Sequence, residues 1–512
     1  MTQAGALPAA RRTAGTPPVA LLLALLLAPA AALAQPAGGR ECAPAFEPLN
    51  PLDSVPALLQ KQPSGRYNVF QGGGVRYRCQ NTAVVIDADS MAYYGDLAVV
   101  YMVGNVHYRD EQATLDSELL TYYQNEEWVV AQGNVHARME DGSTMRGPTA
   151  EYFRAVPGVR TVARMSATGR PVLELSQTDS AGRPRPPVEV VADHLTALGD
   201  SLVYAGGAVV ITRPDLVAHA DSAELDDERE FARLMRGPRI EGKGERPFTL
   251  SGNVIDLFSR DRQLQRVLAM GSARTVSEDV ELRADSLDMR LVANELERAY
   301  AWGPARAVAT SPGREIVADS LDVWLPSQRL REVHAVGGAR VESVPDTLHI
   351  RTDERDWLTG DTIVARFDTT TAPGDTTGTP PLESLVALGT ARSYQHIAPD
   401  SGVTERPSIH YVRGRTITVA FDGEAGDRQV QRVDVVAPDS GLATGVYLDA
   451  GNRGATPAGT TLQRAPGTTP PGPAAQPAAP PATPPPTAPT TPPTTPPPPP
   501  GHGSPHDERA GR

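Results

Sequence analysis

Ile86-Asp-Ala-Asp-Ser-Met-Ala-Tyr-Tyr94, followed by Gly104-Asn-Val-His107, is repeated as Leu115-Asp-Ser-Glu-Leu-Leu-Thr-Tyr-Tyr123, followed by Gly133-Asn-Val-His136. Both halves of the motif recur in phase, because Ile86 lies 29 residues before Leu115 and Gly104 lies 29 residues before Gly133. A fixed period of this size is typical of architectures in which each unit packs on the next. The sequence therefore predicts an array of stacked repeats.

The repeated segments have the composition of β-strands. Residues 99–103 and 128–131 are short runs rich in valine and aromatic side chains, and each ends close to a Gly-Asn pair. Glycine within a strand pattern often marks a bulge or a sharp bend. Each unit is therefore predicted to hold about two strands and two turns. The predicted fold class is all-β, an elongated antiparallel β-repeat.

Two features of the motif continue along the chain. The acidic position recurs at Asp89, Glu118, Asp193, Asp221, Asp285, Asp319 and Asp361. The glycine recurs at Gly104, Gly133, Gly206, Gly271, Gly303, Gly337 and Gly389, with Gly237 a poorer match.

Small or apolar residues flank these glycines at fixed offsets. Two residues before the glycine stand Met102, Ala131, Tyr204, Met235, Ala269, Ala301, Ala335 and Ala387. Two residues after it stand Val106, Val135, Ala208, Ala273, Ala305, Ala339 and Ala391, with Arg239 the exception. Residues at one offset lie above one another in stacked β units. Both columns are therefore predicted to form apolar stripes that face inward.

The first 34 residues are predicted to be a signal peptide. Arg11-Arg12, the apolar run from Val19 to Leu27 and Ala32-Leu33-Ala34 form its three regions. The alternative is a membrane anchor, but the segment from Val19 to the cleavage site is interrupted by Pro29 and is shorter than the ~20 residues needed to span a bilayer. This segment therefore predicts export.

The rest of the chain divides by composition. Residues 35–80 form a leader that contains both cysteines, residues 81–180 and 188–448 hold the β repeats, and residues 451–512 form a tail rich in Pro, Thr and Ala. Such a tail cannot bury a core and is predicted to be disordered. A spacer role and no specific role both remain open for it. Cys42 and Cys79 are predicted to form a disulfide in an oxidising compartment, with two unpaired thiols as the alternative.

Several function classes find little support. The formal net charge of −13 argues against a nucleic-acid partner. No motif of a nucleophile elbow, zinc protease or phosphate loop is present in the sequence, so neither catalytic residues nor a cofactor is predicted. One acid per repeat is typical of a structural turn device rather than of a catalytic pair. His107 and His136 share an offset, but solvated histidines are favoured over a metal pair.

With the export signal and the phased Gly-Asn-Val motifs, the sequence resembles the OstA/LptA-like family of periplasmic lipopolysaccharide-transport proteins. The resemblance rests on residues 103–106 (Val-Gly-Asn-Val), 131–135 (Ala-Gln-Gly-Asn-Val) and 145–153 (Met-Arg-Gly-Pro-Thr-Ala-Glu-Tyr-Phe). It is best over about residues 84–175 and continues more loosely to about residue 448.

The resemblance implies a folded-over antiparallel half-jellyroll, or β-taco, with an apolar groove along its length. It implies a non-enzymatic bridge that carries lipopolysaccharide or a related glycolipid towards the outer membrane. Together with the export signal it implies a location in the periplasm, with an association with the outer membrane left open. Other β-taco envelope proteins are the implied partners, through pairing of edge strands. Combined with the two stripes, it gives a hypothetical lipid-binding set: Met102, Val106, Ala131, Val135, Tyr204 and Ala208.

Two alternatives remain. A structural or adhesive envelope protein with a filled core would also use the β repeats, and the alanine-rich stripe after Ala269 favours it. Those small side chains either widen a groove for lipid or let the two walls close together. An exported carbohydrate-active enzyme is weaker, because no acid pair stands out in the sequence.

Overall fold

A computed structural model describes residues 42–50, 55–80, 82–179, 181–243, 247–277, 280–345, 347–368, 380–397, 402–422, 429–437 and 443–448. The predicted signal peptide and the Pro-rich tail lie outside these residues. All the described residues belong to one compact unit, Met1–Leu462.

The described chain is built almost entirely of antiparallel strands, as the sequence predicts. One short 3₁₀ turn, Pro326–Gln328, lies among them. The strands before the midpoint are β1 (Pro44–Pro48), β2 (Leu58–Lys61), β3 (Tyr67–Gln71), β4 (Val75–Cys79), β5 (Val85–Ala88), β6 (Ser90–Tyr94), β7 (Val99–Arg109), β8 (Ala113–Tyr123), β9 (Trp128–Met139), β10 (Thr144–Phe153), β11 (Arg164–Thr168), β12 (Val172–Thr178), β13 (Pro184–Val191), β14 (His194–Leu198) and β15 (Leu202–Thr212). Those that follow are β16 (Leu216–Asp226), β17 (Phe231–Met235), β18 (Arg239–Gly242), β19 (Phe248–Ser251), β20 (Val254–Arg260), β21 (Gln263–Ser277), β22 (Val280–Val292), β23 (Glu295–Ser311), β24 (Arg314–Trp324), β25 (Glu332–Ser343), β26 (Asp356–Phe367), β27 (Leu382–Ile397), β28 (Ser408–Asp422), β29 (Gln429–Val436) and β30 (Thr444–Leu448).

The long strands are bent near their midpoints by β-bulges. Between β7 and β8, Val103 pairs with Leu119 and Val106 pairs with Ser117, so Gly104 and Asn105 together face the single residue Glu118. Two residues opposite one is the defining pattern of a bulge, which kinks the strand that carries the extra residue. Gly104 has φ +78°, where a Cβ is disfavoured, which explains the glycine of the repeat.

These bends divide the sheet into two limbs that face each other. The pairings of β7 illustrate the division, because its first half pairs with β6 and its second half pairs with β5. We call the part that contains residues 90–94, 99–103, 119–123, 128–132 and 149–153 limb A. We call the part that contains residues 75–79, 85–88, 106–109, 113–117, 135–139 and 144–147 limb B. Later strands continue both limbs, and the hairpin turns lie at the free margins, opposite the bends.

The predicted domain boundaries fall inside this sheet. The leader is not separate, because β1 pairs with β4, β4 with β5 and β3 with β6. The predicted break before residue 188 lies within a hairpin in which β12 pairs with β13, and Pro184 already pairs with Thr178. Pairing through hairpins supplies the backbone hydrogen bonds there, so a polar, Pro-rich segment does not end the sheet.

Candidate functional site

The candidate site is the interior between limb A and limb B. Along β7 and β9 the side chains alternate between solvent and interior, as the period of two in a strand requires. Met102 and Val106 are each 1% exposed, Ala131 is 0% exposed and Val135 is 3% exposed. Four of the six residues predicted for the groove therefore face inward.

The two stripes extend through the second half of the sheet. Seven of the alanines predicted for them are buried, and each belongs to a single continuous hydrophobic core. They are Ala269, Ala273, Ala301, Ala335, Ala339, Ala387 and Ala391.

Tyr204 and Ala208 do not face inward, and their predicted placement is wrong. Tyr204 is 41% exposed and Ala208 is exposed with φ +44°. The glycine of this unit is Gly207, not Gly206, because Gly207 takes φ +78° and lies against Asp193. Ala205 and Val209 are the inward neighbours.

A signal for the correct glycine was present in the sequence. Around Gly104 the buried residues lie four and two positions before it and two and four positions after it. The same offsets around Gly207 give Val203, Ala205, Val209 and Ile211, all of which are apolar and buried.

Two other units depart from the predicted columns because their bends are longer. The register between β23 and β24 jumps from Trp302 to Ala307, so the exposed Ala305 lies in the bend and Ala307 takes the inward place. Around Gly237 the inward residues are Leu234 and Ile240, in place of the predicted Met235 and the exceptional Arg239. Each of these bends contains a proline, Pro304 or Pro238, and this is the sequence signal of an irregular bend.

The acidic column lies at the bends. Asn105 Nδ2 donates to Asp89 Oδ2 at 2.9 Å, and Thr390 Oγ1 donates to Asp361 Oδ1 at 3.0 Å. The backbone N–H of Ala305 donates to Asp285 Oδ2 at 2.6 Å. These three acids therefore bind groups of the bulge on the following long strand.

We call the margin opposite the bends, where the hairpin turns of the two limbs meet, the mouth. A cluster of buried polar side chains spans it. Tyr108 and Tyr152 donate to Asp110 Oδ2 at 2.9 and 3.2 Å, and Tyr122 donates to Glu127 Oε2 at 2.7 Å. Arg154 donates to both of these carboxylates. Phenol rings in the interior thus carry their hydroxyls to the aqueous rim, where polar partners are available.

Burial and charge set the ionisation of this cluster. Burial raises the pKa of Tyr108, Tyr122 and Tyr152 above its ordinary value, and nearby acids add to the effect. Burial by itself lowers the pKa of Arg154, but Tyr108, Glu127 and Asp110 raise it by more. The phenols are therefore neutral and the guanidinium charged at neutral pH.

Two cavities open at the mouth near the middle of the described chain. One of ≈ 210 Å³ is bordered by Tyr152 and Gln112 from the polar cluster, together with Met139, Ala163 and Asp200. The other, of ≈ 90 Å³, has an apolar floor that includes Leu175, Val188, Val203, Ile211, Leu216 and Leu234. Arg213 and Arg262 stand at its rim, where Arg213 Nη2 donates to the Arg262 carbonyl at 3.5 Å.

The N-terminal end of the interior is closed by β1. Cys42 and Cys79 form the predicted disulfide. The Phe46 ring packs against Tyr77 of limb B and Tyr93 of limb A, with centroids 5.9 and 5.3 Å apart. Phe46 therefore bridges the two limbs.

His107 and His136 lie on the outer surface of limb B, on either side of Asp116. His107 Nδ1 lies 2.7 Å from Asp116 Oδ1, and the side chains of both residues are exposed. Within the described part of the chain, no group of three or more His, Cys, Asp and Glu side chains is placed to hold a metal ion.

The sequence matches no protein-family model and no curated protein. Among the described residues, no helix is both long enough and apolar enough to cross a membrane.

Proposed function

We propose that the protein is a non-enzymatic carrier that binds the acyl chains of lipopolysaccharide, or of a related glycolipid, between limb A and limb B. It would act in the periplasm as part of a bridge to the outer membrane. The resemblance to the OstA/LptA-like family motivates the choice of lipid and location. The observation that carries the proposal is the continuous apolar interior shared by two limbs.

The way the limbs are joined supports a groove that opens. At the bends, the strand backbone itself passes from one limb to the other. At the mouth, the backbone hydrogen bonds from Gln124 to Ala98 (3.0 Å) and from Arg154 to Glu127 (3.1 Å) join neighbouring turns of limb A. Side chains make the contacts to limb B described above. A sheet joined in this way can open at the mouth while its bends hold.

Acyl chains have no space in the closed arrangement. An apolar cavity of ~150 Å³ holds one benzene molecule, so cavities of ≈ 210 and ≈ 90 Å³ are too small for a lipid with several chains. Carriage therefore requires the limbs to separate. Each methylene then buried contributes about 0.8 kcal/mol, which offsets the cost of pulling the packed faces of the two limbs apart.

Edge strands support assembly into a bridge. Among the described residues, β2 pairs with β3 alone and β29 pairs with β28 alone, so each leaves one side without a strand partner. Leu58 and Leu59 of β2 are exposed. Strand addition at such edges is a common mode of protein association.

A structural or adhesive envelope protein with a filled core is the second candidate. The near-complete burial of the inward residues, including the alanines, favours it.

Photo-crosslinking distinguishes the two candidates. A photoreactive residue is placed at Met102, Val106 or Val135, and at the outward Tyr204 as the matched control. Carriage predicts lipopolysaccharide adducts in envelope fractions from the three inward positions and few from Tyr204. Crosslinks within the protein alone, at all three inward positions, would favour the filled core.

A further inference from the structure

Arg154 joins the two limbs across the mouth. It directly follows β10 on limb A, and its Nε donates to Oδ2 of Asp110, which directly follows β7 on limb B, at 2.7 Å. Its Nη1 donates to Oε2 of Glu127, in the turn between β8 and β9 on limb A, at 2.7 Å. The side chains of Arg154, Asp110 and Glu127 are 11%, 0% and 14% exposed. A single guanidinium thus holds buried carboxylates from facing turns.

Asp110 keeps its partners on limb B if Arg154 leaves, whereas its bond from Tyr152 of limb A is lost as the limbs separate. Its Oδ1 accepts hydrogen bonds from the backbone N–H groups of Gln112 and Ala113 at 2.9 and 2.8 Å, and its Oδ2 accepts one from Tyr108. All of these donors lie on limb B. The carboxylate therefore remains hydrogen-bonded on its own limb, and release of Arg154 does not unfold the β7–β8 turn.

The larger cavity adjoins these residues. Tyr152 and Gln112 line it. Gln112 Oε1 accepts hydrogen bonds from the Tyr152 hydroxyl at 3.4 Å and from the backbone N–H of Ala155, the residue after Arg154, at 3.3 Å. It is also lined by Thr161, Val162 and Ala163, from the segment between β10 and β11 that begins with Arg154. Movement of Arg154 away from Asp110 would join this cavity to the interior.

We propose that Arg154, Asp110 and Glu127 form a releasable latch on the mouth, and that the cavity beside it is the lateral entry site for an acyl chain. The entry role rests on the proposed function. The latch itself does not, because separation of the limbs at this point is measurable without lipid.

The latch is tested by the accessibility of the interior. Ala137, which is 0% exposed on limb B and shares a row with Leu115 and Tyr108, is replaced by cysteine, with the native disulfide intact. We expect a maleimide to label Ala137→Cys at least tenfold faster when Arg154→Met is added. Arg154→Lys should give an intermediate rate, because lysine keeps one charged contact. Arg138→Met, on the outer face of β9, is the matched control and should leave the rate unchanged.

An equal labelling rate with and without the Arg154→Met substitution, at unchanged circular dichroism, would overturn the latch. If Arg154→Met does not fold, Arg154→Lys carries the test by itself. Labelling of Ala137→Cys that is faster in Arg154→Lys than with native Arg154 supports the latch, and an equal rate overturns it.

A photoreactive fatty acid then tests entry separately. Faster cysteine labelling together with increased crosslinking in Arg154→Met supports both latch and entry. Faster labelling without crosslinking in any variant leaves the latch standing and contradicts the proposed function. Crosslinking that is equal in all variants, with unchanged labelling, leaves lipid binding standing and overturns the latch.

Discussion

The carboxylate of Asp193 occupies the space that a Cβ on Gly207 would need. A Cβ built there would lie 2.4 Å from Asp193 Oδ2 and 2.7 Å from Asp193 Cβ. The same relationship joins Asp89 to Gly104 and Asp319 to Gly337, so in these units the acid and the glycine act together at the bend. The glycine adopts the positive φ that the bulge requires. Because it has no Cβ, the carboxylate of the acid can pack directly against its backbone.

Gly207→Ala is therefore expected to destabilise the sheet more than Gly206→Ala. At Gly207, alanine combines a positive φ, which costs about 1–2 kcal/mol, with a clash against Asp193. At Gly206, a Cβ meets only the end of the His194 ring, which is exposed and can move. Thermal unfolding, monitored by circular dichroism, measures the loss of stability in each variant. A larger loss for Gly206→Ala would contradict the assignment of the bend.

The repeat period and the inward stripes could be predicted because they follow from local patterns. Alternation of apolar side chains around Gly104 and Gly133 indicates which residues face the interior. The error at Tyr204 arose because two adjacent glycines offered two positions for a bulge of the ordinary length. The error at Ala305 arose where a bend that contains a proline is longer. The mouth could not be predicted, because Arg154 lies outside every repeated motif and meets Asp110 from 44 residues away.

The ion pair of Arg76 and Asp87 gives a prediction for acidic pH. Arg76 Nε and Nη2 donate to the two carboxylate oxygens at 2.6 and 2.7 Å, and this hydrogen bonding lowers the pKa of Asp87. A carboxyl whose pKa is lowered by folding stabilises the protein above its unfolded pKa of about 3.9. That contribution is lost as the pH falls through the lower folded value.

A double-mutant cycle with Arg76→Gln and Asp87→Asn measures this contribution. The coupling is expected to be about 1 kcal/mol at pH 7, since both side chains are partly exposed, and to be smaller at pH 2. Equal coupling at both pH values would show that the carboxylate charge is not responsible.

Removal of the disulfide is expected to release the N-terminal closure and leave the rest of the sheet folded. The bond closes 37 residues, a loop for which chain entropy gives a stabilisation of about 4 kcal/mol at most. Because each repeat packs mainly on the repeats next to it, the loss should stay local. In Cys42→Ala/Cys79→Ala, hydrogen exchange should accelerate in β1 and β4 but not in β22 and β23. Uniform acceleration along the chain would contradict this.

The alanine stripe provides a test of whether the C-terminal limbs separate. Ala307 is 0% exposed, whereas Ala305, two residues earlier, is exposed in the bend and matches it in residue type. If the limbs are closed in the lipid-free protein, Ala307→Leu forces extra methylenes between them and costs about 1–3 kcal/mol, whereas Ala305→Leu should cost less than about 0.5 kcal/mol. If the limbs separate readily without lipid, they move apart to accept the leucine, and the two variants should unfold at similar temperatures. We expect Ala307→Leu to lower the midpoint of thermal unfolding, because the closed arrangement leaves its neighbours no space. A measured difference near zero would show that this half of the interior opens without lipid.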